Sequence, residues 1–184
     1  MGRKKNIPDG WLDYYPIKDA IHEARIIPIK CPLPRSRFEG SLFDARWTPG
    51  DVMNAIPNLG LIVDITNKEP AYYDVNEFRQ NGIEHVKIPC VGHHVPRDDI
   101  FYRFCEVLDT FTRQNSRNNN IVALHCTHGV NRTGYMICRY LVERLNYTAR
   151  TALQIFGSQR GHPVERENYI EDLIRISESI ESSR

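Results

Sequence analysis

The chain lacks a surplus of either charge. Its 24 Lys and Arg balance 23 Asp and Glu to leave +1 at neutral pH, which excludes a protein that coats nucleic acid by bulk electrostatics; any contact with an anionic polymer must be focused in a local basic site. Long apolar runs are missing as well. None approaches the ~20 residues that span a bilayer, so a soluble chain with no membrane partner is expected. The five cysteines, Cys31, Cys90, Cys105, Cys126 and Cys138, are odd in number and form no CxxC pair. Without a secretory signal this predicts a reducing, intracellular compartment, nuclear or cytoplasmic, and no disulfide framework. No internal repeat, low-complexity tract or convincing linker interrupts the 184 residues. One domain over 1–184 is the expectation, with 1–10 flexible and 180–184 a tail. Met1-Gly2 does not complete a myristoylation motif because Asn6 stands where Ser or Thr is needed, and Arg3, Lys4 and Lys5 read as a solvated terminus ahead of a nuclear-import or RNA-contact role.

What is present is concentrated in ten residues, His125-Cys126-Thr127-His128-Gly129-Val130-Asn131-Arg132-Thr133-Gly134. A thiol of pKa about 8.5 needs a positive environment to become a nucleophilic thiolate. The apolar run Ile121 to Leu124 suits a buried strand, and Thr133 to Glu143 carries apolar residues at helical spacing. The loop between them therefore ends at a helix N-terminus, where unpaired N–H groups and the positive end of the helix dipole favour an anion. Cys126 is the expected nucleophile at the floor of that cradle, and Arg132 brings a planar fork matched to two phosphoryl oxygens. Gly129 lets the backbone curl so that the amides of Thr127, His128, Gly129, Val130 and Asn131 converge on phosphate. Thr133 is placed to donate its hydroxyl to the thiolate, and His125 to orient the loop. A zinc site from His125, Cys126 and His128 does not match the usual ligand spacing, and neither metal nor cofactor is expected.

Apolar runs at Arg25 to Ile29, Leu61 to Ile65, Glu84 to Ile88 and Ile121 to Leu124 read as strands that alternate with helical patterns. The fold class predicted is α/β, a central, mostly parallel sheet with helices on both faces. Thr48-Pro49 opens a helix ending near Ala55, Asp98 or Asp99 opens one running to about Arg113, Thr148 caps another, and Arg166 to Ser179 carries the last. Asn115 to Asn120 is a turn, and Pro32 to Gly40 a long irregular loop.

The motif HCTHGVNRTG resembles the HCxxGxxR(S/T)G signature of the cysteine-dependent tyrosine and dual-specificity phosphatases. Thr127-His128 and Asn131 are similar to the RNA 5'-triphosphatase branch of that superfamily. So are IPDGWLDYYPI (Ile7 to Ile17), IPIKCPL (Ile27 to Leu33), LGLIVDITN (Leu59 to Asn67), the Tyr72-Tyr73 pair, VGHHVP (Val91 to Pro96), YMICRYLVE (Tyr135 to Glu143) and RGHPVERENYIEDL (Arg160 to Leu173). VGHHVP and the last two resemble most the RNA/RNP-complex-interacting phosphatase type. The resemblance implies a single-domain dual-specificity-phosphatase-like fold, acting on 5'-triphosphorylated RNA, free or within RNA–protein complexes, as a monomer. It also implies removal of the γ-phosphate through a phosphocysteine, and of the β-phosphate in a second round.

Ligands of open α/β sheets bind beyond the carboxyl ends of the strands. Lys30, Arg35 and Arg37 after the first strand, Asp64 at the end of the second, and Arg160 and Arg166 flanking His162 are therefore candidate rim groups. Each has an ordinary reading as solvated charge or a structural pair, and Asp64 in particular reads as structural. Tyr14, Tyr15, Tyr72 and Tyr73 could stack on a base, with core packing favoured for most. Asp98 and Asp99 occupy the region that supplies a general acid in protein phosphatases, yet Arg97 breaks the pattern and helix capping is their competing role. The acid matters unequally. A phenolate leaves with a conjugate-acid pKa of about 10, whereas a diphosphate end leaves at about 6. Two alternatives stay open: a dual-specificity phosphoprotein phosphatase, and a non-catalytic module that binds RNA 5'-phosphates.

Overall fold

The computed structural model describes residues 7–38 and 44–183. Four strands, β1 (Ile26–Pro28), β2 (Leu59–Asp64), β3 (Glu84–Lys87) and β4 (Ile121–His125), alternate with α1 (Pro49–Ala55), α2 (Asn76–Arg79) and α3 (Asp98–Gln114), before α4 (Asn131–Leu145), α5 (Ala149–Arg160) and α6 (Glu167–Ser182) close the chain. The sheet order is β1-β4-β2-β3 and every pairing is parallel. All four carboxyl ends thus meet on one edge, with β4 inside, its Leu124 opposite Pro28 on one flank and Val63 on the other.

A parallel strand covered on both faces must be apolar throughout, and β4 is buried from Ile121 to His125. Its side chains alternate between two cores. Val122 and Leu124 pack with Ile26, Leu61 and Val63 beneath α3 to α6, through residues such as Phe101, Phe104, Leu141, Phe156 and Leu173. Ile121 and Ala123 pack with Ile27, Leu59 and Ile62 on the other face, against Trp11, Trp47, Val52 and Phe78. Gly134 lets α4 approach its neighbours, for a Cβ there would lie 2.5 Å from Val164 and 2.8 Å from Phe156.

The expected strands and long helices are present, with boundaries moved by at most three residues. Three details differ. The predicted tail at 180–184 is helical to Ser182, because Ile180 packs on the core as part of the α6 apolar face. The irregular Pro32 to Gly40 segment contains a 3-10 turn at Arg35–Arg37, while Glu39 and Gly40 lie outside the described residues, as do Met1, Gly2, Arg3, Lys4, Lys5 and Asn6. The short α2 carried no periodic signal. Among the described residues no helix is long and apolar enough to cross a membrane.

The start of α1 is held by a reciprocal capping box: Asp51 N–H donates to Thr48 Oγ1 at 3.3 Å and Thr48 N–H to Asp51 Oδ2 at 2.9 Å, with Pro49 at the first helical position. Thr48→Ala is expected to lower the unfolding free energy by about 1 kcal/mol, measured by urea denaturation; an unchanged midpoint would show the box to be dispensable.

Candidate active site

Central strand β4 ends at His125 and delivers Cys126 to the carboxyl edge of the sheet. Helix α4 begins at Asn131, two residues before Thr133, so Arg132 belongs to the first helical turn, where backbone N–H groups have no intrahelical partner. Between them the chain curls through Gly129 at φ 69°, and a Cβ at that position would collide with the Ile29 carbonyl group. The N–H groups of Gly129 and Thr133 face the Cys126 sulfur, and the carbonyls of the curl turn outward. Each outward carbonyl is satisfied: His125 Nδ1 faces Cys126 O at 3.0 Å, Cys31 N–H donates to Thr127 O at 3.2 Å, and Gly134 N–H to Val130 O at 2.8 Å. Arg160 serves the other two, donating to His128 O at 3.0 Å and Gly129 O at 2.9 Å.

Burial pushes the Cys126 thiol up, but the Arg132 guanidinium, the Thr133 hydroxyl and the backbone N–H groups of Thr133 and Gly129 outweigh it and hold the thiol below its ordinary value. Thr133 is fully buried and its hydroxyl also accepts from Cys126 N–H at 2.9 Å. Arg132 is aimed by carbonyls of neighbouring strand ends. It donates to Cys90 O at 2.8 Å and, at 3.5 Å, to Ile65 O, while its other nitrogen reaches Thr127 Oγ1 at 3.2 Å. A thiolate facing the Gly129 and Thr133 N–H groups, beside a guanidinium fixed by carbonyls, can attack a tetrahedral centre carrying several anionic oxygens, and the donors of the loop can hold those oxygens.

His125 is buried and neutral: desolvation, with Lys87 and Arg132 nearby, drives its pKa down despite Asp64. Its Nδ1 faces a carbonyl and so carries the proton, which leaves Nε2 to accept from Tyr73 Oη at 2.8 Å; Tyr73 in turn accepts from His85 Nε2 at 3.0 Å. Asp64 lies 3.9 Å from His125 Nδ1 and is bound by Lys87 Nζ at 2.9 Å and by Thr66 N–H at 2.8 Å. Its burial, which disfavours the anion, is outweighed by the hydrogen bonds from Lys87 and Thr66, so the carboxylate stays charged. Tyr73 and His85 were not legible as site supports, since a core tyrosine and a strand histidine give no motif.

The rim reading needs correction at several positions. Lys30 is buried, its ammonium 3.5 Å above the Trp11 ring and donating to Trp11 O and Tyr14 O, and burial with Arg160 nearby pushes its pKa down to about 8. Arg160 is fully buried beneath the loop. Both point to backbone carbonyls because the N-terminal segment folds over them. Asn131 ties the loop to the start of α6, its Oδ1 accepting from the N–H groups of Glu165 and Arg166 at 2.9 Å; Arg166 is the α6 N-cap residue and half-buried. His128 Nε2 bonds Asp9 O at 2.7 Å. Tyr72, half-buried, is hydrogen-bonded to Thr127 of the loop. Arg35 is exposed and Arg37 half-buried on their 3-10 turn. Asp98 and Asp99 do not cap α3, whose N-cap is Arg97 without a side-chain bond. Arg139 holds Asp98 at 2.7 Å and Arg97 holds Asp99 at 2.5 Å. Among the described residues no group of three or more His, Cys, Asp or Glu is placed to hold a metal ion.

Because the folded site favours the thiolate, Cys126 alkylation by iodoacetamide is expected to rise with pH at a midpoint below that of an ordinary thiol, about 8.5, and to fade as pH drops through that midpoint. Thr133→Ala should move the midpoint upward. A wild-type midpoint at or above the ordinary value would contradict the electrostatics of the loop.

Comparison with known proteins agrees with this geometry. The model of the dual specificity phosphatase catalytic domain matches residues 47–179. The bovine RNA/RNP complex-1-interacting phosphatase is 41% identical over 173 residues, covering 91% of this chain and 51% of that protein; the homolog from Caenorhabditis elegans is 35% identical over 176 residues, covering 92% and 75%. The chain therefore spans about half the length of the mammalian relatives it matches. Among solved structures, Tk-PTP in the active form superposes with a TM-score of 0.65 at 17% identity, over 84% of this chain and 92% of that one, a likeness of fold. With its cysteine loop, parallel sheet and matched catalytic domain, the chain belongs to the dual-specificity phosphatases, hydrolases of the cysteine-dependent phosphatase superfamily.

Proposed function

We propose that this phosphatase acts on the 5' end of triphosphorylated RNA. Cys126 thiolate attacks the γ-phosphorus; the S–P bond forms as the bridging P–O bond breaks, and its electron pair leaves on the RNA 5'-diphosphate. The inward amides and Arg132 hold the phosphoryl oxygens. Water then attacks the phosphocysteine, orthophosphate is released, and the Thr133 hydroxyl stabilises the departing thiolate. A second round on the β-phosphate leaves a 5'-monophosphate. The protein's own residues carry both steps without a metal ion, as a monomer in a reducing compartment that keeps the low-pKa thiol free.

The observation that carries the choice of substrate is the engagement of Asp98 by Arg139 and of Asp99 by Arg97. The Arg97 guanidinium holds the Asp99 carboxyl below the usual carboxylate range, the wrong direction for a proton donor. A phenolate leaving group needs a positioned acid, worth ~10² to 10⁴ in rate. The diphosphate end, with a conjugate acid of pKa about 6, departs without one. The RNA in the names of the mammalian relatives supports the same reading.

Two measurements test it. In EDTA, RNA labelled at the γ- or β-phosphate should release orthophosphate with the wild-type protein and none with Cys126→Ser; dependence on added metal, or an active Cys126→Ser protein, would sink the mechanism. The double change Asp98→Asn and Asp99→Asn should cost triphosphate RNA turnover less than about 10-fold, well under the general-acid range. A loss of two or more orders, with phosphotyrosine peptide hydrolysed as fast as RNA by the wild type, would favour a phosphoprotein phosphatase.

A further inference from the structure

Beside the catalytic loop runs a line of rings that the chemistry on phosphorus does not use. It starts with His128 of the loop itself and continues to Tyr14 at 5.2 Å, His162 at 5.0 Å and Tyr15 at 5.1 Å between centroids. Three members are locked. His128 is bonded to Asp9 O, the Tyr14 hydroxyl donates to Glu165, and His162 Nε2 accepts from Tyr15 N–H at 3.1 Å. The fourth, Tyr15, is 65% exposed, the most open large hydrophobic among the described residues. Its backbone is nonetheless fixed to the site, because a single nitrogen, Arg160 Nη2, donates both to Tyr15 O at 2.6 Å and to His128 O at 3.0 Å.

We propose that Tyr15, backed by His162, is the stacking platform for the first nucleobase of the 5'-triphosphorylated RNA. This inference rests on the RNA reading above and adds the subsite that recognises the nucleoside. A ring whose backbone is fixed and which rests against His162 loses less entropy when a base stacks on it than a free one, and base–aromatic stacking is indifferent to sequence because every base has a π-face. With a near-zero net charge the chain holds RNA little by bulk attraction, which gives a local stacking contact weight. The charges around the line are mixed, with Asp13, Glu165 and Arg166 all acting on Tyr14. His162 adds no cation, for burial and the adjacent Arg160 keep it neutral, in the tautomer that accepts from Tyr15 N–H. The triphosphate thus occupies the loop while the base, two phosphates and a ribose away, reaches the exposed ring.

The test uses RNA triphosphate carrying 2-aminopurine as its first base, and inorganic tripolyphosphate as a substrate without a base. Binding to the Cys126→Ser protein should quench 2-aminopurine fluorescence, and adding Tyr15→Ala should abolish the quench. In the active protein Tyr15→Ala should raise KM for RNA by roughly 5- to 150-fold with kcat unchanged, and its loss on RNA should exceed its loss on tripolyphosphate by that factor. Tyr15→Phe, which keeps the ring, should restore KM; Tyr15→Leu should not. Equal quenching and KM in Tyr15→Ala would overturn the platform while leaving the function standing. So would an equal loss on both substrates, which would mean that Tyr15 acts through Arg160 on the loop, or the same KM dependence with a phosphotyrosine peptide. Wild-type protein that hydrolyses aryl phosphate but neither triphosphate would remove the function itself, and the platform with it.

Discussion

A loop that turns its amides inward must turn its carbonyls outward, and the molecule is organised around satisfying those carbonyls. Left unpaired in the interior, each would cost the desolvation of a strong acceptor. Cys31 beyond β1 and Arg160 at the end of α5 reach them from distant parts of the chain, while His125 and Gly134 meet them from beside the loop. Arg160 bears the heaviest duty. Among the described residues its buried charge has no carboxylate partner, and burial brings its pKa down to about 10. The carbonyl dipoles of Tyr15, His128 and Gly129 stabilise it there, and the nearby Cys126 thiolate favours its charged form. One guanidinium therefore shapes the loop from below and shares its field with the thiolate.

The other side of the loop is kept neutral. The chain from His125 through Tyr73 to His85 has one consistent set of protons with both imidazoles uncharged, and burial lowers both their pKa values, that of His85 to about 4. Asp64 is fully engaged by Lys87 and Thr66. The consequence is a division of labour: Arg132, aimed by the carbonyls of Cys90 and Ile65, is the cation presented beside the thiol, while the strand-end network fixes the orientation of His125 without competing for the phosphate.

Asp98 shows how a tertiary pairing meets a family pattern. Asp98 sits in the first turn of α3, where a carboxylate complements the helix dipole, and is held by Arg139 two turns into α4. The Asp98 carboxylate is 75% exposed, so the pair joins the two helices at the surface, and the substrate proposed is the one whose leaving group does not require it as an acid.

Local patterns determined a great deal. The strand run before Cys126, the Thr48-Pro49 and Thr148 caps and the amphipathic α3 and α6 were all readable, because burial on a sheet and capping of a helix end depend on residues close in the chain. The loop's chemistry was readable for the same reason, since Cys126, Gly129, Arg132 and Thr133 lie within eight consecutive positions. Partners across long separations were not. Lys30 and Arg160 looked like rim cations, and only the fold of the N-terminal segment over the loop turned them onto the carbonyls of Trp11, Tyr14, Tyr15, His128 and Gly129. The role of Tyr73 and the line of rings from His128 to Tyr15 were likewise decided in three dimensions. A side chain's charge is written in the sequence, but whether it faces solvent, phosphate or a buried carbonyl depends on which distant backbone needs a donor.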